Sequence, residues 1–449
     1  MKQQDAFFKT VCKIAAPVTL QSMLQSSFSV VDQVMIGQLG SVSIAGIGLA
    51  GKFSSIYSVL LSAVAAAAGI MIAQYMGKEE EREVSRSFFM NLALAVGIAI
   101  LFTILCITFP QKIIRLYIED APTIAEASAY LRILAVSYLP MAGAALLSTM
   151  LRCMERAELA LYASLAGALL NTGLNYILIF GKMGISPMGV RGAALATLFS
   201  QIVYFVLILW MFIRSFGRQE KRWMGCFAIK KAGFLQYGKI LLPILVCELL
   251  WSLGENVYAI IYGHLGSSAC AAMTLTNPIQ SLMIGALSGL SQAAGIIIGK
   301  NLGKREYDRA YQEARKLLAY GAVGSVLLSL LLLGISRYYV EIYAVEDSVK
   351  LLTRQILFAY VLIAPVKVQN MILGGGIIRS GGKTEYVMWI DFIGTWFFGV
   401  PLGILSAFVL GLSIPYVYFI LSLEECVRFA ISLIVFQRKM WMHSLKAQE

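Results

Sequence analysis

In twelve places the chain runs apolar for about 20 residues or more: 13–36, 45–74, 88–109, 123–150, 159–180, 192–213, 240–262, 270–298, 317–335, 351–377, 386–409 and 412–436. A stretch of that length spans a bilayer as a helix, and in hydrocarbon an isolated segment satisfies its own backbone polar groups only by being helical. Composition agrees, with 59% of residues hydrophobic, 14% charged and a mean hydropathy of +0.75, where a soluble domain carries about 25% charge. The expected fold class is therefore an all-α polytopic membrane protein with twelve transmembrane helices. The polar start MKQQDAFFKT leads into a span too long for a secretory signal, with no small-residue cleavage site after it, so the first helix is expected to act as its own insertion signal.

Basic residues orient the chain. With the N-terminus inside, 26 of the 37 lysines and arginines fall on that side and seven on the other, while Lys52, Arg132, Lys367 and Arg428 lie within or beside helices. Both termini are then cytoplasmic and the protein a multi-pass component of the plasma membrane. The net charge of +12 is spread over these loops, which makes it a topology signal and a contact for anionic lipid headgroups rather than a nucleic-acid surface. The seven cysteines are scattered without C-x-x-C spacing, so neither a disulfide nor a metal site is expected from them.

The first span, Pro17 to Gly40, carries Asp32 near its far end. A carboxylate near the bilayer centre costs roughly 2.5–3.5 kcal/mol on insertion scales, so Asp32 is expected to face protein or a wet cavity. At 100° per residue, Gln21, Gln25, Phe28 and Asp32 fall on one narrow stripe that reads as a cavity wall.

Sliding the chain on itself by 226 residues aligns Pro17 with Pro243, Gly37 with Gly263, Leu39–Ser41 with Leu265–Ser267, Ala67–Ile70 with Ala293–Ile296 and Gly77–Lys78 with Gly303–Lys304. About a third of positions over 13–83 are identical, including glycines and a proline whose backbone demands composition alone does not reproduce. A repeat of six helices re-enters the membrane in the same direction, which predicts two pseudo-symmetric lobes, 1–213 and 238–449, joined by a cytoplasmic connector at 214–237, with a substrate path between them.

These residues resemble the multidrug and toxic compound extrusion (MATE) transporters over nearly the whole chain. The resemblance is carried by Pro17 with Asp32 fifteen residues on, GQLG at 37–40 with its copy GHLG at 263–266, LNTGLNYILIFGK at 170–182 followed by GVRGAALAT at 189–197, and GGGIIRSGGKT at 374–384 followed by Asp391, Trp396 and Pro401. It implies an antiporter that exports amphipathic organic cations against H+ or Na+, works as a monomer and needs no cofactor. It also implies a coupling cluster of Asp32, Asn171, Asn175 and Thr197, whose single carboxylate and hard oxygens suit a proton or Na+, and bending at Pro17 and its repeat partner Pro243. Asn171 and Asn175, four apart, share a helix face. Many members carry an aspartate where this chain has Asn175, so the site has lower charge. The alternative role for these amides and Thr197 is to bridge packed helices.

In the second lobe the position matching Asp32 is Tyr258, and the acid some members place eight residues after the proline is Trp251. Charge recognition there passes to Glu248, Glu255 or Asp391, and Glu255 is expected to be the important one because it lies nearest the depth of Asp32. Trp251 and Tyr258 offer aromatic faces to a lipophilic cation. Glu255 as a solvated residue without a coupling role is the competing reading. Glu424 and Glu425, one turn before Arg428, read as a structural ion pair.

Two alternatives stand beside the antiporter. A lipid-linked-precursor flippase shares the architecture. A membrane-embedded enzyme would need a histidine or paired acids beside a nucleophile, yet the only histidines are His264 and His443, and no GxxxxGK[ST] is present for ATP. The orientation is testable: a cysteine placed within 218–230 is labelled only from the cytoplasm and one replacing Ser41 only from outside, and the reverse labelling pattern would overturn it.

Overall fold

The computed structural model describes residues 2–39, 41–215, 231–341 and 346–445, so most of the connector expected at 214–237 lies outside the described residues. Among them every regular element is helical. Helix α1 (Lys2–Ile36) is followed by a short 3-10 turn at Gly37–Leu39, then by α2 (Ser41–Gly77), α3 (Glu81–Thr108), the short α4 (Pro110–Arg115), α5 (Ala121–Val136), α6 (Tyr138–Cys153), α7 (Ala157–Phe180) and α8 (Gly189–Ser215). The second half runs α9 (Lys231–His264), α10 (Ser267–Gly303), α11 (Tyr307–Glu341), α12 (Asp347–Asn370), α13 (Glu385–Phe392), α14 (Val400–Ile404), α15 (Ile414–Ser422) and α16 (Glu424–Gln437). Three π-helical stretches interrupt it, Met371–Ile378, Ile393–Gly399 and Leu405–Val409.

Nine helices among the described residues are long and apolar enough to cross a membrane, and ten if α5 and α6, bent by 46° at their junction, form one span. The bend has a local cause. Pro140 has no N–H to give to the Val136 carbonyl, and Ser137 Oγ turns back onto Leu134 O at 2.6 Å. At the other end of α5, Asp120 caps the helix by accepting from Thr123 N at 3.0 Å and Thr123 Oγ1 at 2.5 Å, and these bonds hold its carboxyl below the usual range. The windows expected at 13–36 and 412–436 are not among the ten. Helix α1 is continuous, but Gln21, Ser22, Gln25, Ser26, Ser27, Ser29 and Asp32 lower its hydropathy, and the last window divides at Leu423 into α15 of 9 residues and α16 of 14.

Repeat-related positions adopt matching backbone. Helices α2 and α10 are each 37 residues, with bounds 226 apart. The turns after them place Glu79 (φ 61°) and Arg305 (φ 62°), again 226 apart, in the left-handed region. The ends of α2 and α10 pack reciprocally: a Cβ on Gly77 would strike the Lys300 carbonyl, and one on Gly303 the Gln74 carbonyl. Only glycine lets the two backbones approach so closely.

The described chain forms two compact units. The first comprises Met1–Thr19, Ala73–Glu79 and Ala232–Glu449, the second Leu20–Ile72 and Glu80–Lys231. Helices α1 and α2 therefore contribute to both, α1 changing unit two residues beyond Pro17, which sits inside an unbroken helix as Pro243 does in α9. In the first unit, Tyr258, Tyr262, Ile356, Tyr360, Val417 and Leu421 build a core between α9, α12 and α15. The C-terminal segment closes onto the same unit. Trp441 is fully buried, and Gln74 donates to Ser380 O at 2.6 Å and accepts from Leu445 N at 2.7 Å.

Replacing Gly303 by Leu should force α2 and α10 apart at a cost of about 1–3 kcal/mol, the usual penalty of overpacking. Thermal unfolding of the purified protein would read this as a clearly lowered midpoint, and an unchanged midpoint would show the contact to be dispensable.

Candidate functional site

The α7–α8 hairpin is closed by glycines. Gly181 ends α7 at φ 67°, where a Cβ would strike Pro187, and Gly192 lies against the Leu178 carbonyl. This close approach brings Asn171 and Asn175 of α7 against Thr197 and Ser200 of α8. Asn171 Nδ2 stands 3.5 Å from Thr197 Oγ1 and 3.3 Å from Ser200 Oγ. Asn175 Nδ2 donates to Asn171 Oδ1 at 3.3 Å and to Asp32 Oδ1 of α1 at 2.9 Å. Thr197 and Ser200 donate back to Ala193 O and Thr197 O, at 3.1 and 2.9 Å, and so keep oxygen lone pairs turned to the amides.

All four residues of the expected coupling cluster thus meet in the second compact unit. Ser200 joins them, and Tyr130 of α5 lies beside Thr197, within electrostatic range of Asp32. Sequence reasoning missed both. Ser200 was legible as the residue one turn beyond Thr197, whereas Tyr130 arrives from a helix with no spacing relation to the others. Asn175 is only 3% exposed, and its Oδ1 is buried with no partner. An unpaired buried acceptor beside a carboxylate costs stability unless something positive visits it. Asp32, Asn171, Asn175 and Thr197 therefore suit a small monovalent cation or a proton, through hard oxygens and one charge.

The polar stripe on α1 is not uniform. Gln21 is buried beside Tyr204, Gln25 is exposed and Phe28 half-buried, and neither glutamine hydrogen-bonds Asp32 among the described residues.

A second charged cluster occupies the first compact unit. Asp391 in α13 is gripped by Arg428 of α16, whose Nε donates to Oδ1 at 3.0 Å and whose Nη2 closes on the same oxygen, while Cys247 Sγ approaches Oδ2 at 2.8 Å. Arg428 also faces Glu425 at 3.5 Å and Glu424 at 4.0 Å. Asn370 Nδ2 donates to Glu425 Oε2 at 2.8 Å, and Lys367 lies 3.9 Å from Glu425 Oε1. Arg379 Nη1 reaches Glu248 at 3.4 Å. Two glycines make this packing possible: a Cβ on Gly394 would strike the Arg428 side chain, and one on Gly399 the Tyr258 hydroxyl and the Glu424 carboxylate. Breaking such a buried pair from one side costs about 3–5 kcal/mol, because the other charge is stranded.

Several expected cavity residues take other places. Tyr258 is buried and donates to Glu424 Oε2 at 2.5 Å, so its ring belongs to a closed network rather than an open wall. Glu255 is exposed and does not line the cavity that holds Glu248, Trp251 and Asp391. The expected Glu424/Glu425–Arg428 pairing is present, but the tightest partner of Arg428 is Asp391. Arg379, Arg428 and Lys367 were not foreseen as cavity residues, since only the folding together of α9, α12, α13 and α16 sets them around one space.

The MatE family model matches residues 17–177 and 243–405, spanning both halves of the repeat. The multidrug resistance protein NorM of Burkholderia vietnamiensis is 25% identical over 89% of this chain and 87% of its own length. An uncharacterized transporter, YisQ, of Bacillus subtilis is 18% identical over 95% and 93%. Among solved structures, a variant of the Vibrio cholerae MATE transporter VcmN superposes with a TM-score of 0.89 at 17% identity, covering 98% of each chain. With a family match over both halves and this fold around the Asp32 cluster, the chain belongs to the MATE family of multidrug efflux transporters, and is a transporter, not an enzyme.

Proposed function

We propose that this chain is a secondary antiporter of the plasma membrane, with twelve spans in two six-helix lobes and both termini cytoplasmic, which as a monomer exports amphipathic organic cations in exchange for H+ or Na+. The observation that carries this reading is the Asp32 carboxylate held by one neutral amide, Asn175 Nδ2 at 2.9 Å, whose own Oδ1 is buried without a partner. A carboxylate so held keeps lone pairs for an incoming cation, whereas Asp391 spends its own on Arg428. Asn171 Oδ1 and Thr197 Oγ1 supply further hard oxygens at the same place.

Taking up a proton or Na+ cancels the Asp32 charge and removes the reason for its pairing. Helix α1 answers through Pro17, which lacks the N–H that would tie it to residue 13, two residues before α1 passes from one compact unit to the other. A small bend there shifts the population towards the state that releases substrate outside. The multidrug names of the NorM relatives support amphipathic substrates. Glu255, exposed and without a hydrogen bond or ion pair among the described residues, supports attraction of cations.

Efflux from proteoliposomes under an imposed pH gradient, or an imposed Na+ gradient, identifies the coupling ion. Asp32→Asn should abolish efflux under both while the protein stays folded, because Asn keeps the volume and loses the titrating charge; ion-driven efflux at the wild-type rate would remove Asp32 from the mechanism. Glu255→Gln should weaken efflux of cationic substrates several-fold more than of neutral ones. Equal loss for both kinds would assign Glu255 to coupling or folding instead.

A further inference from the structure

The cavity in the first compact unit holds three cations of unequal standing. It measures about 270 Å³, and its lining includes Arg379, Arg428 and Lys367, the acids that face them, and the apolar Trp251 and Ile284. Arg428 is saturated by Asp391 through two nitrogens and by Glu425 at 3.5 Å. Arg379 is not. Its Nη1 reaches Glu248 only at 3.4 Å, its Nη2 rests on the Cys247 thiol at 3.2 Å, and its Nε is buried with no partner at all. Lys367 has its nearest carboxylate at 3.9 Å, on a Glu425 already shared with Arg428 and Asn370.

Taking a guanidinium out of water costs several kcal/mol, which is repaid only when its donors are met by good acceptors. A thiol is a weak acceptor, and an unmet buried donor costs about 1–3 kcal/mol more. The group that best completes a planar fork of N–H donors is a carboxylate, which takes two parallel charge-assisted bonds. Glu248 is in reach but makes one long contact, and with 26% of its side chain exposed it can give way to a competitor. The space beside the fork is not filled by the protein. Met371–Ile378 is π-helical, and its Gly374 and Gly375 bring backbone rather than side chains to the lining that Trp251 shares.

We propose that this cavity is a binding site for organic carboxylates, the acid group held by Arg379 and Lys367 and the apolar remainder lying against Trp251 and Ile284. This deepens the proposed export function by adding a substrate class that a purely cation-selective lobe would reject, and it rests on that reading for its transport role. The volume selects small molecules of one or two rings.

The test uses the purified full chain in detergent, with 1-naphthylacetate and its methyl ester as probes, followed by tryptophan quenching or equilibrium dialysis. The acid should bind at least about tenfold tighter than the ester, the worth of a charge-assisted pair. Arg379→Gln should erase that preference and leave the ester unchanged, Arg379→Lys should restore part of it, and Lys367→Gln should weaken the acid alone. Equal affinity for acid and ester in the wild type would overturn the proposal, which needs no variant to fold, and so would a preference that survives Arg379→Gln. Ion-driven efflux is measured separately. Acid preference without efflux upholds the site and sinks the antiport reading, and efflux without acid preference does the reverse.

Discussion

A charge placed inside a bundle of apolar helices must be neutralised, paired or visited, since its desolvation cost exceeds anything a single packing contact returns. The two membrane aspartates of this protein are held differently. Asp391 is paired twice over by Arg428, with a thiol on its other oxygen. Asp32 has one amide, and that amide carries an unpaired oxygen of its own. The first arrangement fixes α13 to α16. The second leaves a half-buried carboxylate with lone pairs to spare, and that contrast is why we propose exchange at Asp32 and anchoring at Asp391.

The two halves show how a repeat keeps backbone while surrendering chemistry. Gly77 and Gly303 make the same close contact from opposite sides, and Glu79 and Arg305 make the same left-handed turn with side chains of opposite charge. Those positions are set by how near two helices come and by the sign of φ, which leave little choice of conformation. Asp32 and Tyr258 occupy corresponding positions with no such demand, and they differ entirely: one meets Asn175, the other is buried against Glu424. Glycines do comparable work at the charged cluster, where Gly394 and Gly399 give Arg428, Tyr258 and Glu424 the room to meet.

Much was legible from the chain alone: apolar length required helices, the 226-residue offset required related halves, and Asn171, Asn175 and Thr197 could be placed beside Asp32 through their likeness to MATE sequences. Within one helix, spacing suffices, because a period of 3.6 residues fixes which side chains share a face. That is why the Asn171–Asn175 face and the Glu424/Glu425–Arg428 turn were expected and found. Contacts between helices follow no such rule. Asp391 and Arg428 stand 37 residues apart, Cys247 and Arg379 132 apart, and Tyr258 and Glu424 166 apart. Which of them touch depends on the crossing of α9, α12, α13 and α16 and on π-helical turns that shift side chains off the regular period. Depth along one helix pointed to Glu255; only the packing of the others, which leaves it exposed, set Arg379, with a buried nitrogen unpaired, beside Glu248.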